Sequence, residues 1–100
     1  MARDIYAYRD VAVESFQDGA QVRVRPVNGQ AYHSGLRVQC SRELTDTSKY
    51  PVGTCFRVLA KLTDRLGGMP YLYVYHGDPV VVLSPQQCER FLAEFRRGRI

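Results

Sequence analysis

The sequence lacks any long apolar run. A membrane-spanning helix needs about 18 or more consecutive apolar residues, so we expect no transmembrane helix and no membrane partner. Charged residues also interrupt the segment from Met1 to Asp10 before the apolar core of a secretory signal can form. A cytoplasmic protein is therefore the default expectation.

Cysteine is scarce, and its spacing excludes the common uses of the residue. Cys40, Cys55 and Cys88 are odd in number and scattered, which favours reduced thiols over a disulfide framework. Together with His33 and His76 they form no C-x-x-C or H-x-x-x-H spacing, so we predict no metal site and no cofactor.

Catalytic motifs are also missing. Cys55 or Ser84 could act as a nucleophile with His76 and either Asp78 or Asp64, but neither lies in a nucleophile elbow or a cysteine-protease context. The tetrapeptide at 76–79 is also typical of a turn. We therefore predict that the protein is not an enzyme and keep a small hydrolase as the third alternative.

What the chain does contain is typical of one small globular domain. One hundred residues suffice for a single hydrophobic core, and an apolar fraction of 45% argues against disorder of the whole chain. The formal net charge of +4 is compatible with binding a polyanion but is also ordinary for a soluble domain.

The segment from Tyr50 to Ser84 carries the densest strand and turn signals. Apolar residues at 56, 58, 60 and 62 alternate with Arg57, Leu59, Lys61 and Thr63, which indicates a strand with an apolar and a basic face. Gly67-Gly68 favours a short chain reversal. The segment from Pro70 to Tyr75 then puts Leu72 and Val74 on one face of a returning strand.

The opposite face of that returning strand carries Tyr71, Tyr73 and Tyr75. A second turn at 76–79 precedes Val80 to Leu83, an apolar run typical of a strand buried on both sides. The interpretation is an antiparallel meander of three strands from Cys55 to Leu83.

The same segment resembles a known group of proteins. It contains Tyr50-Pro51-x-Gly53-Thr54-x-Phe56-Arg57, Ala60-Lys61-Leu62-Thr63-Asp64-Arg65, Gly67-Gly68 and Pro70-x-Leu72-Tyr73. This core is similar to that of small uncharacterised bacterial proteins, some of them carried on mobile elements such as integron cassettes. The resemblance covers about a third of the chain and implies no activity.

The first half of the chain gives weaker signals. Residues 1–20 are interpreted as a strand or an ordered arm, because no capping pattern supports a helix there. Alternation predicts strands over Gln21 to Val27 and Leu36 to Cys40. The polar segment Glu43 to Lys49 is predicted to be a loop.

A helix is predicted at the C-terminal end, over 85–97. Ser84 suits the N-cap, Pro85 the first helical position, and Gln87 the third position of a capping box. An apolar stripe for packing on the sheet follows at helical spacing, formed by Cys88, Phe91, Leu92 and Phe95.

These elements predict a single domain over residues 1–100 that is mainly β, with an antiparallel β core over 21–83 and one C-terminal helix packed on it. The core is either a small antiparallel barrel, comparable in size to an SH3 domain, or a curled open sheet. The barrel is favoured because it closes its own edges.

One surface stands out as a candidate binding site. It combines Tyr71, Tyr73 and Tyr75 with Arg57 and Lys61 on the neighbouring strand. Aromatic platforms flanked by cations bind single-stranded nucleic acid, although tyrosine is also a good strand former that a helix or partner can cover. The hypothesis is a binding module for nucleic acid, and the alternative is a protein-interaction or self-associating structural protein, a possible homo-oligomer.

Overall fold

A computed structural model of the chain describes residues 7–63, 68–75 and 77–98. A short 3-10 helix, Arg42–Thr45, lies between the third and fourth of its strands. The strands and the α-helix of this part of the chain are β1 (Arg9–Asp18), β2 (Gln21–Pro26), β3 (Arg37–Gln39), β4 (Cys55–Thr63), β5 (Tyr71–Val74), β6 (Val81–Leu83) and α1 (Pro85–Arg96).

The six strands form one nearly closed, barrel-like sheet. Its order is β2-β1-β4-β5-β3, and β6 pairs with β4. The two terminal strands of this order, β2 and β3, approach each other to within 8 Å between Cα atoms, which nearly closes the sheet. The prediction of a mainly β domain with a barrel-like sheet and a C-terminal helix is confirmed. The sheet is mixed rather than wholly antiparallel, because β3 and β5 run parallel.

The first strand lies in the interior of this sheet, next to β4. β1 pairs with β2 on one side and with β4 on the other. Val11 and Val13 point into the barrel, whereas Ala12 lies beneath α1, and all three are fully buried. Burial on both faces removes the alternation of a half-buried strand, so the predicted β core has to be extended to include β1. Residues 1–6 of the predicted arm lie outside the described residues.

The predicted three-stranded meander is wrong in its last strand. β5 pairs with the end of β4 and β6 with its beginning, both antiparallel. β6 therefore runs in the same direction as β5. Val74 pairs with Ala60, and Val81 pairs with Arg57. The six residues 75–80 therefore connect two positions that only two residues of β4, 58 and 59, separate. The chain therefore does not reverse its direction between β5 and β6.

The apolar run at 80–83 is also less buried than predicted. The exposed fractions of Val81 and Val82 are 52% and 47%. β6 pairs with a single strand, β4, among the described residues, so it lies at an edge of the sheet.

Two hydrophobic clusters stabilise the fold. The first fills the barrel around Phe56 and includes Leu44. The predicted loop at 43–49 therefore contacts the core through Leu44, and its first residues belong to the 3-10 helix. The second lies between the sheet and α1 and joins Ala12, Cys55 and Phe91. Burying an aromatic side chain such as Phe91 contributes about 1.5–3 kcal/mol, which is enough to dock a short helix.

The predicted capping box begins α1. Ser84 Oγ accepts a hydrogen bond from the Gln87 backbone N–H at 3.1 Å, and Gln87 Oε1 accepts one from the Ser84 N–H at 2.8 Å. These bonds satisfy two donors that the helix leaves without an internal partner.

Candidate functional site

The outer face of β5 presents the tyrosines. Leu72 and Val74 point inward and are buried, so Tyr71 and Tyr73 point outward and are partly buried. Tyr75 follows the strand and is 39% exposed. Its ring makes an edge contact with Tyr8, with ring centroids 6.4 Å apart. Tyr71 and Tyr73 are therefore the pair that the strand itself holds in place.

Lys61 lies next to this pair. It is directly opposite Tyr73 in the β4–β5 ladder, and Thr63 is opposite Tyr71. Side chains in such register are about 5 Å apart at Cβ. Within the described ranges, no carboxylate oxygen lies within 4 Å of Lys61 Nζ. Among these residues the lysine charge is therefore not paired with a carboxylate, and it lies beside an aromatic ring.

Arg57 does not belong to this surface, contrary to the prediction. It precedes Lys61 by four residues, or about 13 Å of extended strand, and it pairs with Val81 on β6 rather than with β5. Its Nε and Nη2 atoms donate to the Asp10 carboxylate at 3.2 and 3.1 Å. The guanidinium also lies 5.5 Å from the centre of the Phe91 ring.

These contacts give Arg57 a structural role beside α1. The hydrogen bonds that Arg57 donates to the Asp10 carboxylate raise the pKa of Arg57 further above its already high value, because they stabilise the charged guanidinium. The sequence could not distinguish Arg57 from Lys61, because both are basic outward positions of one strand.

Two residues that the prediction missed lie on the other side of β5, on strand β3. In the parallel β3–β5 ladder, Arg37 is opposite Tyr71 and Gln39 is opposite Tyr73. Both are exposed, and both line an open groove of about 620 Å³ that reaches Tyr71 and Met69. The alternation at 36–40 predicted that Arg37 points outward, but no sequence signal indicates which strand lies beside it.

We define the tyrosine face as Arg37, Gln39, Lys61, Tyr71 and Tyr73. Each tyrosine has a neighbour on both adjacent strands, and each is beside one cation. The face can therefore offer two aromatic rings for stacking, two positive charges for anions and an amide for hydrogen bonding.

The cysteines and histidines do not converge in the described part of the chain. No group of three or more His, Cys, Asp and Glu side chains there is arranged to hold a metal ion. His33 Nδ1 accepts a hydrogen bond from the Gly35 N–H at 2.8 Å. Burial raises the pKa of the Cys40 thiol to about 11, as desolvation disfavours the thiolate.

The nucleophile candidates are occupied by structural contacts. Ser84 caps α1, and Cys55 is buried with its Sγ 3.0 Å from that of Cys88. Burial, followed by the contact with Cys88, raises the pKa of the Cys55 thiol. His76 and Asp64 of the proposed constellation lie outside the described residues.

Comparison of the chain with protein-family models, with curated proteins and with solved structures finds no significant match. Of the helices in the described residues, none is long and apolar enough to cross a membrane. The fold and the tyrosine face are consequently the basis for any statement about function, and function has to be argued from the site.

Proposed function

We propose that the protein binds single-stranded nucleic acid on the tyrosine face. The observation that carries this proposal is the register of the sheet, which puts Lys61 opposite Tyr73 and Arg37 opposite Tyr71. Single-strand binding proteins combine aromatic rings that stack on bases with cations that neutralise phosphates. Two rings on one strand, each beside a cation on a neighbouring strand, provide that combination.

The chemistry of the face favours a single strand over a duplex. In a duplex the bases are stacked on each other, whereas an unpaired base can leave its neighbours and stack on a tyrosine. Stacking contributes about 1–3 kcal/mol per base and tolerates different bases, because every base has a π face. We therefore expect weak sequence preference and strong salt dependence.

A fluorescence-anisotropy titration tests this proposal. The probe is a fluorescein-labelled oligothymidylate of about 15 nucleotides, within the ~4–16 nucleotides that one small barrel binds. Tyr73→Ala should weaken binding by about 1–3 kcal/mol, whereas Tyr73→Phe, which keeps the ring, should bind like the wild type. Both variants should melt close to the wild-type temperature.

Two results would contradict the proposal. One is wild-type protein that binds no oligonucleotide at low salt. The other is a Tyr73→Ala variant that binds as well as wild type. A large loss of stability in Tyr73→Ala would instead mean that the N-terminal arm or a second subunit covers the face, and sedimentation of the wild type would reveal a second subunit.

Self-association is a second candidate function, and the edge strand β6 favours it. Val80, Val81 and Val82 are 37%, 52% and 47% exposed, and exposed apolar edges are sites of strand pairing between chains. Sedimentation of wild type and of Val81→Lys tests this candidate. A concentration-dependent dimer that Val81→Lys disrupts is expected, and a monomer at all concentrations contradicts it.

A further inference from the structure

The sheet leaves a cleft where it fails to close. β2 and β3 face each other across this seam, and the cleft between them has a volume of about 680 Å³. Its apolar lining includes Val24 and Val38, which also belong to or pack on the barrel core. We define the seam cleft by the four arginines that line it: Arg23, Arg25, Arg37 and Arg42.

The cleft concentrates positive charge. Four arginines and one carboxylate, Asp18, line it, in a chain whose formal net charge is +4. Arg23 Nε lies 3.1 Å from Asp18, and Arg25 Nε lies 3.0 Å from Glu14. In the described part of the chain, neither Arg37 nor Arg42 has a carboxylate within 4 Å. Two guanidinium groups are therefore available to an anion.

Arginine suits one class of anion especially well. Its planar fork donates two parallel hydrogen bonds to a phosphate. An inserted peptide strand fits the cleft less well, because it would need about 9.5 Å between its two flanking strands. Cα atoms of β2 and β3 lie within 8 Å of each other, so a full-length strand cannot enter without opening the sheet.

The cleft is also continuous with the tyrosine face. Arg37 lies opposite Tyr71 and lines both the seam cleft and the groove beside Tyr71. We infer that the seam cleft holds the phosphates of the same single strand whose bases stack on Tyr71 and Tyr73. This inference rests on the proposed function and extends the binding path across β3 to β2.

The salt dependence of binding tests the inference with the same labelled oligothymidylate. Each phosphate neutralised on a single strand contributes about 0.7 to the slope of log K against log salt. Arg42→Gln, which leaves the tyrosine face intact, should lower the slope by about 0.7 and weaken binding at low salt. Arg90→Gln removes the same charge from a different groove, beside α1, and should leave the slope unchanged.

The outcomes separate the two proposals. If wild type binds and Tyr73→Ala does not, but Arg42→Gln and Arg90→Gln behave alike, the seam cleft is excluded and the tyrosine face stands. If wild type does not bind at all, both fail. A polyglutamate peptide serves as a third probe. If the wild type binds it as tightly as the oligonucleotide, and Arg42→Gln weakens both equally, the inference is overturned in favour of an acidic protein partner.

A different observation carries a second inference, at the contact between α1 and β4. The Sγ atoms of Cys55 and Cys88 lie 3.0 Å apart, and both thiols are free. A disulfide has its sulfurs about 2.05 Å apart, so a shift of about 1 Å would allow the bond. We propose that small-molecule disulfides oxidise this pair and thereby attach α1 covalently to the sheet.

The reaction is two successive thiol–disulfide exchanges. Cys88 is the less buried of the two residues and attacks an external disulfide RS–SR as its thiolate, forming a mixed disulfide and releasing RS⁻. Cys55 then loses its proton and attacks Cys88 Sγ, which releases the second RS⁻. The two departing thiolates take up the two protein protons, so the protein loses two electrons and the external disulfide gains them.

Oxidised glutathione is the reagent that tests this step, in a Cys40→Ser background. We expect a product lighter by two hydrogen atoms, a peptide joining residues 55 and 88, and a melting temperature raised by about 10 °C or more. Cys88→Ser should show none of these changes. A chain that keeps both thiols free, or a stable glutathione adduct on Cys88 that does not close to the disulfide, would overturn the proposal.

Discussion

The outer surface of the sheet has two halves that differ in what covers them. α1 lies over β1 and the beginning of β4, where it buries Ala12 and Cys55. The end of β4, together with β5 and β3, carries the tyrosine face, whose side chains are not part of the cluster beneath α1. Arg57 and Lys61 alternate outward on the same strand, yet Arg57 contacts Asp10 and α1 whereas Lys61 lies beside Tyr73. The position of the helix decides which of two similar cations is structural.

The largest effect is expected in the covered half, from Phe91→Ala. Phe91 is 6% exposed and is the largest side chain of the cluster beneath α1. Its truncation should lower the free energy of unfolding by about 3–5 kcal/mol, from lost burial and the cavity that remains. Urea denaturation measures this loss, with Tyr73→Ala as the control from the tyrosine face. Equal losses of unfolding free energy in the two variants would contradict the distinction between the two halves of the sheet.

A smaller effect is expected from the loss of the capping box at the start of α1. Ser84→Ala should lower the free energy of unfolding by about 1 kcal/mol, because the Gln87 N–H loses its acceptor. Thermal and urea unfolding measure it. Ser34→Ala is a control, since that loop serine has no place in a helix cap. An unchanged Ser84→Ala variant would mean that the cap contributes nothing to docking of α1.

The smallest effects are expected when each of the two cations, Arg57 and Lys61, is neutralised in turn. Arg57→Gln should lower stability by about 1 kcal/mol or less, as expected for a surface ion pair, and leave oligonucleotide binding unchanged. Lys61→Gln should do the reverse, weakening binding and lowering its salt slope by about 0.7. Fluorescence anisotropy measures the affinity of each variant for the oligonucleotide, and urea unfolding measures its stability. Arg57→Gln binding as weakly as Lys61→Gln would place Arg57 back on the binding surface.

Local physical signals were sufficient for much of the fold. Alternation located β2 and β4, since one face of each strand meets the core, and the capping box located α1 at Ser84. These signals depend on residues a few positions apart. The outward orientation of Tyr71 and Tyr73 followed from the same alternation with Leu72 and Val74.

Pairing between distant segments was not accessible in this way. Nothing local indicates that β3 lies parallel to β5, so Arg37 was missed as a neighbour of Tyr71. Nothing local indicates that β6 returns to β4 either, because the turn at 76–79 resembles a reversal. Burial of Ala12 on the outer face depends on α1, which lies more than 70 residues further along the sequence.

Photocrosslinking is the direct test that the tyrosine face binds single-stranded nucleic acid. An oligonucleotide containing 5-bromodeoxyuridine is bound to the wild-type protein, irradiated, and the crosslinked residues are identified by mass spectrometry. We predict crosslinks to Tyr71 and Tyr73 that excess unlabelled oligothymidylate removes. Crosslinks confined to α1 or β1, or no competed crosslink at all, would contradict it.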